Sequence, residues 1–228
     1  MNEQKSLIAG MDEAGRGPVI GPLVFGLVVV TSEQESFLKE NGVEDSKTLS
    51  KLNRQRLAAI IKENTTYCDT LVVNAETITS LMGEMTLNEI EIKFFRQLIS
   101  PQVNKIGILQ LDAADVNAER FGSRFADLFD GQIQSFHKGD QLFTSVGAAS
   151  ILAKTTRDEI IESLQQKISK FDPTLPSFGS GYPTDAKPFL QAYYSKYHSF
   201  PMFVRTTWKT VKKIESSFAQ SDLNSFFS

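Results

Sequence analysis

The chain has 228 residues, 41% of them hydrophobic and 22% charged, the balance of a soluble globular protein with room for one large domain or a domain with a modest appendage. Its single cysteine, Cys68, excludes an internal disulfide and a cysteine-rich zinc site, in keeping with a reducing, cytoplasmic compartment. The longest apolar run, Leu23 to Val30, is far short of a bilayer span and no secretory leader is expected, so a membrane is not an expected partner.

The first apolar segments are Ser6 to Gly10 and the Val-rich Leu23 to Thr31, read as buried strands. Gly15, Gly17, Pro18, Gly21 and Pro22 crowd the connection and exclude helix there. So short a link predicts an antiparallel hairpin. Ser50 opens a predicted amphipathic helix to about Lys62, with Leu52, Leu57, Ile60 and Ile61 on one side, and Tyr67 to Val73 reads as a strand. Thr86 and Glu89 have capping-box spacing and start a helix that Pro101 ends after Ile99. Lys105 to Leu111 predicts a strand delivering Asp112.

Asn117 can cap a helix holding Phe121, Phe125 and Leu128, before a short strand at Ile133 to Phe136. Ser145 to about Ile168 predicts a long helix whose small residues Gly147, Ala148, Ala149 and Ala153 allow close packing on a sheet. Phe171 to Pro188 is rich in Pro, Gly and Ser and predicts a surface loop. Helices are expected near 186–197 and 207–219. This order predicts a mixed α/β sheet followed by a helical C-terminal part.

Net charge is −3, which is no general signature of nucleic-acid binding. Its distribution says more: residues 138–213 hold 11 Lys/Arg against 6 Asp/Glu, and the first 137 hold 13 against 19. An acidic front with a basic later segment suits a carboxylate site beside a phosphate-binding surface; an uneven solvated surface is the plainer alternative.

Asp12 and Glu13 directly follow an apolar strand, and Asp112 ends another. Asp140 precedes a predicted helix, where an N-cap is its ordinary role. Taken singly, the ordinary reading of each is a solvated strand or loop end. Together, acids at three separated ends can converge at one end of a sheet and form an oxygen site for a hard cation such as Mg²⁺.

The stretch Gly10-Met11-Asp12-Glu13-Ala14-Gly15-Arg16-Gly17-Pro18-Val19-Ile20-Gly21-Pro22 resembles the signature of type 2 ribonucleases H in their archaeal form. So do Asp45-Ser46-Lys47, Leu111-Asp112-Ala113-Ala114-Asp115, the run from Ala148 to Asp158, Phe178-Gly179-Ser180-Gly181-Tyr182-Pro183 and Arg205-Thr206-Thr207-Trp208. They occur in family order from residue 10 to 208. Leu111, where Val is frequent, and the bacterial wording of Gly139-Asp140 are small departures that remove no acid.

The resemblance implies a ribonuclease H-like catalytic domain over 1–170, a C-terminal helical region over 171–219 and a tail over 220–228. It implies a metal site of Asp12, Glu13, Asp112 and Asp140 holding two ions of Mg²⁺ or Mn²⁺. Hydrolysis of RNA in RNA/DNA hybrids, and cutting 5′ of a single ribonucleotide in duplex DNA, follow as the implied activity. Gly15, Arg16 and Gly17, alone a plain turn, would bring backbone groups to the ribose 2′-hydroxyl. Tyr182, alone a packing tyrosine, would stack on the next sugar, and Lys47, otherwise a solvated lysine, would touch a phosphate. Lys154 and Arg157 are weaker candidates for phosphate contacts, and Asp115 and Asp158 are read as structural. His137 and His198 tempt a general-base reading.

The tail, with Gln220, Leu223, Phe226 and Phe227, matches the box that binds sliding clamps. A short helical turn would present its apolar side chains as a plug; a helix end packing its own phenylalanines is the alternative. A monomer is expected. A non-catalytic nucleic-acid or clamp adaptor on the same fold is the rival reading, and the presence of all four acids speaks against it.

Overall fold

The computed structural model describes residues 7–43 and 49–226, with the backbone alone described for 221–226. Among these residues a five-stranded sheet is formed by β1 (Leu7–Ala14), β2 (Leu23–Val30), β3 (Tyr67–Val73), β4 (Ile106–Asp112) and β5 (Gln132–Phe136), in the order β3-β2-β1-β4-β5. β1 pairs antiparallel with β2, as the short Gly/Pro link requires, and parallel with β4; β4 pairs parallel with β5. This is the expected mixed sheet flanked by helices.

Helices follow in chain order: α1 (Ser32–Glu40), α2 (Lys51–Glu63), α3 (Ala75–Leu81), α4 (Leu87–Ile99), α5 (Ala118–Ser123), α6 (Gly139–Leu142), α7 (Thr144–Phe171), α8 (Pro183–Tyr197) and α9 (Lys209–Phe226). Ser50, Thr86 and Asn117 cap α2, α4 and α5 as read from the sequence. β1 runs past Gly10 through both acids to Ala14.

Three helices, α1, α3 and the four-residue α6, lie outside the predicted set. α1 is almost wholly polar and buries only Leu38, so it has no apolar stripe; its capping box of Thr31 and Gln34 was the available signal. α3 spans seven residues, too few for a periodic pattern. Of the side expected for α2, Leu57 and Ile61 are buried and Ile60 is partly buried, joined by Ala58, while Leu52 is 75% exposed. α8 starts at Pro183 rather than 186, using a proline at its first turn and carrying Pro188 inside. Phe171 ends α7, so the loop is shorter than predicted.

By their contacts the residues group into two compact units, Met1–Ala14 with Val24–Val72 and Thr86–Thr156, and Gly15–Leu23 with Val73–Met85 and Arg157–Ser228. In the first, α7 lies against the sheet at van der Waals limits. A Cβ at Gly10 would fall 2.2 Å from the Ser145 carbonyl carbon, and one at Gly26 would fall 2.2 Å from the Ala149 oxygen. Glycine on the strands and small residues on the helix are therefore both needed. Phe25 and Phe95 meet edge to face at 4.8 Å in the same unit. The second unit has its own core of Ile20, Ile161, Phe178, Phe189, Leu190 and Val211.

Candidate active site

The parallel register of β1 and β4 pairs Met11 with Leu111. Asp12 and Asp112 follow one residue on, so they stand side by side on one face of the sheet. Asp12 is only 4% exposed. Glu13, the next residue of the strand, is half-buried, and its backbone N–H donates to Asp12 Oδ1 at 2.7 Å.

Asp140 arrives from the turn after β5. Lys138 takes a left-handed conformation, φ 60°, and Gly139 passes so close to β4 that a Cβ there would be 2.8 Å from the Leu111 oxygen. The Gly139 N–H donates to Asp112 Oδ1 at 3.0 Å, tying this turn to the strand end. Asp140 lies inside the short helix α6 and is 2% exposed.

Burial raises the Asp12 carboxyl to about 7, helped by the negative charges of Asp112 and Asp140; a Ser150 hydrogen bond and Lys154 oppose the rise. Lys154 Nζ is 4.0 Å from Asp140 Oδ2. Ser150 and Lys154 are one turn apart on α7, and neither was assigned to this cluster from sequence. The signal was present in their spacing on the helix, without a face to relate it to.

Three buried or part-buried acids thus repel one another, with oxygen donors and excess negative charge suited to a hard divalent cation. Among the described residues, no three His, Cys, Asp or Glu side chains are already drawn together as a metal cage. His137 is exposed, and its Nε2 lies 3.1 Å from the Val116 carbonyl oxygen. Asp115 is structural as read, accepting from the Asn117 N–H and from Arg120.

The second unit contains the Gly-Arg-Gly loop. Gly15 and Gly21 have φ of 98° and 88°, values that favour glycine. The loop is held by its carbonyls: Arg205 Nε donates to Gly21 O at 3.0 Å and its Nη1 to Arg16 O at 3.4 Å, while Trp208 Nε1 donates to Gly17 O at 3.3 Å. Arg205 is fully buried and stands 5.0 Å from the Trp208 ring.

Arg157, considered for a phosphate contact, turns inward instead. It is 6% exposed, and its Nη2 donates to Ile20 O and Ser180 O. Tyr182 stands just before α8, 48% exposed, with its ring against Gly17. Arg205 and Trp208 brace this loop from 189 and 191 positions away, a role with no local signal in the Arg205-Thr206-Thr207-Trp208 stretch.

Lys47 and Phe227 lie outside the described residues. Gln220 is exposed, and the backbone of 220–226 continues α9 as helix. No helix among the described residues is long and apolar enough to cross a membrane.

The family model Ribonuclease HII matches residues 9–211. The chain belongs to the ribonuclease HII family. As a member it is a nuclease of the ribonuclease H class. It is 41% identical to the ribonuclease HII of Pyrococcus furiosus over 96% of this chain and 98% of that one. The ribonuclease H2 structure from Pyrococcus horikoshii OT3 superposes with a TM-score of 0.84 at 37% identity, covering 93% of this chain and 99% of that one. The ribonuclease HII of Archaeoglobus fulgidus, solved as a complex with PCNA, superposes at 0.80 with 34% identity, covering 91% and 96%.

Proposed function

We propose that the chain is an endoribonuclease that hydrolyses the RNA strand of RNA/DNA hybrids and cuts 5′ of single ribonucleotides in duplex DNA. The observation that carries this reading is the side-by-side placement of Asp12 and Asp112, with Asp140 brought to the same cluster. Asp12, Glu13, Asp112 and Asp140 would hold two ions of Mg²⁺ or Mn²⁺, which would supply an activated water and stabilise the departing oxygen.

The chain's own groups do the remaining work. Asp12 binds in its ionised form, so its proton must leave when the site fills. Asp112 is oriented by the Gly139 N–H. Gly15, Arg16 and Gly17 offer backbone groups to the ribose 2′-hydroxyl at the cut, with the Arg16 and Gly17 carbonyls braced by Arg205 and Trp208. Tyr182 stacks on the following sugar, and Lys47 contacts a phosphate. The products carry a 5′-phosphate and a 3′-hydroxyl. Such cutting serves ribonucleotide excision and removal of RNA primers.

The test is duplex DNA carrying one ribonucleotide, incubated with Mg²⁺ or Mn²⁺. Asp112→Asn is expected to lower the rate about 10³-fold, a barrier change of about 4 kcal/mol. Full activity in that variant, or no metal-dependent cut 5′ of the ribonucleotide by the natural chain, overturns the assignment.

The tail is a sliding-clamp ligand in the same proposal, supported by its residue pattern and by the PCNA complex of the Archaeoglobus fulgidus relative. Gln220, Leu223, Phe226 and Phe227 would dock while the catalytic region acts as a monomer in the cytoplasm. Deleting 220–228 should abolish clamp binding and spare hydrolysis; unchanged clamp affinity refutes it.

A further inference from the structure

In the second unit, α8 and α9 pack on each other, with Tyr194 and Phe218 in ring contact at 5.3 Å. A groove of about 440 Å³ runs between them. Its walls are two matched helix faces. On α8 these are Thr184, Lys187 and Gln191, at positions i, i+3 and i+7; on α9 they are Thr210, Lys213 and Ser217, at the same spacing. Buried Ile214 contributes to the lining.

Each wall thus presents a hydroxyl, a lysine and another hydrogen-bonding group along one line of its helix. Lys187 and Lys213 are both exposed, and among the described residues neither has an ion pair. Lys209 and Lys212 in the first turn of α9 are exposed as well. The groove therefore combines concentrated positive charge with hydroxyl and amide side chains of the kinds that bond phosphate and sugar oxygens. That is the chemistry of backbone-positioning contacts, in which Lys, Ser, Thr and Gln bond phosphate and sugar oxygens without reading sequence.

We propose that the α8–α9 groove is a docking surface for the sugar–phosphate backbone of duplex nucleic acid, with Lys187 and Lys213 as its phosphate contacts. The proposal rests on the reading of the chain as a nuclease of duplexes and adds a backbone contact away from the carboxylates. The charge of the groove favours a polyanion over an apolar peptide.

The test is the binding of a plain DNA duplex, without ribonucleotides, in metal-free buffer over a series of KCl concentrations. Lys187→Ala with Lys213→Ala should flatten the dependence of log Kd on log [KCl] by about 2, since each phosphate contact contributes a slope of about 0.9. The weakening should be the same for duplexes of different sequence. Lys187→Arg with Lys213→Arg, which keeps both charges, should retain the natural slope. An unchanged slope and Kd in the alanine variant overturns the proposal, as does loss of clamp binding with duplex binding intact, which would assign the groove to a protein partner.

With saturating ribonucleotide-containing duplex the alanine variant should keep the natural kcat and show a raised KM. If the natural chain does not cleave at all, the nuclease reading fails, and the plain-duplex titration still decides whether the groove binds DNA.

Discussion

A Cβ built on Gly17 would stand 3.1 Å from Cε1 of Tyr182. The ring of an exposed tyrosine, 165 positions away in the sequence, therefore lies on a stretch of backbone that has no side chain to separate them. Gly17→Ala should push the ring aside with little loss of stability, because nothing else crowds that position. If ring and loop together hold the sugar, kcat/KM on a single-ribonucleotide duplex should fall about tenfold, the scale of one lost hydrogen bond or stacking contact. Tyr182→Phe should retain most activity and Tyr182→Ala should match Gly17→Ala. A Gly17→Ala enzyme with natural kcat/KM would separate the tyrosine from the loop's function.

Gly15 makes the opposite case. Its φ is 98°, and a Cβ would come within 2.5 Å of the Pro22 carbonyl oxygen and of Arg157 Nε. Both backbone strain and a clash with a fixed oxygen oppose any side chain. Gly15→Ala should lower folding stability by about 1–3 kcal/mol, read as a shift of the urea midpoint. An unchanged midpoint would show that the loop relaxes at no cost.

Arg205 holds Gly21 O and Arg16 O from a fully buried position. Arg205→Met leaves those acceptors without their donor in the interior, costing about 1–3 kcal/mol for each that water cannot reach. Lysine cannot reproduce the two-pronged geometry, so Arg205→Lys should rescue little. Equilibrium unfolding of the two variants checks this, and full rescue by lysine would show that charge alone matters.

Burial first, and Asp112 second, raise the Asp12 carboxyl from an ordinary 3.8 to about 7. Between these values the folded protein binds a proton that the unfolded chain releases. Stability of the metal-free protein therefore falls as pH rises through that window. Its Tm should be higher at pH 5 than at pH 8, and Asp12→Asn should flatten this part of the profile. Added Mn²⁺ should raise Tm more at pH 8, where the site is already deprotonated. A metal-induced gain that is equal at both pH values would contradict the coupling.

Much of this protein is local and so could be read along the chain. The Val-rich run of β2, the caps Ser50, Thr86 and Asn117, and the strand that ends at Asp112 are each set by neighbours within a few residues. So is the need for glycine in the connection after β1. α1 escaped because its information lies in one cap and one buried leucine rather than a periodic stripe.

What the sequence could not decide is how distant pieces meet. Parallel pairing of β1 with β4 depends on register, and one step of slip would turn Asp112 away from Asp12. The bracing of Gly17 by Trp208 and its cover by Tyr182 depend on side chains at long separation. The segment Met11 to Pro18 names the family because its residue types are unusual together. Tertiary structure alone divides it, placing Asp12 in a cluster of repelling acids and Gly15 to Gly17 in a loop held by buried arginine, since burial and charge are properties of assembled surroundings.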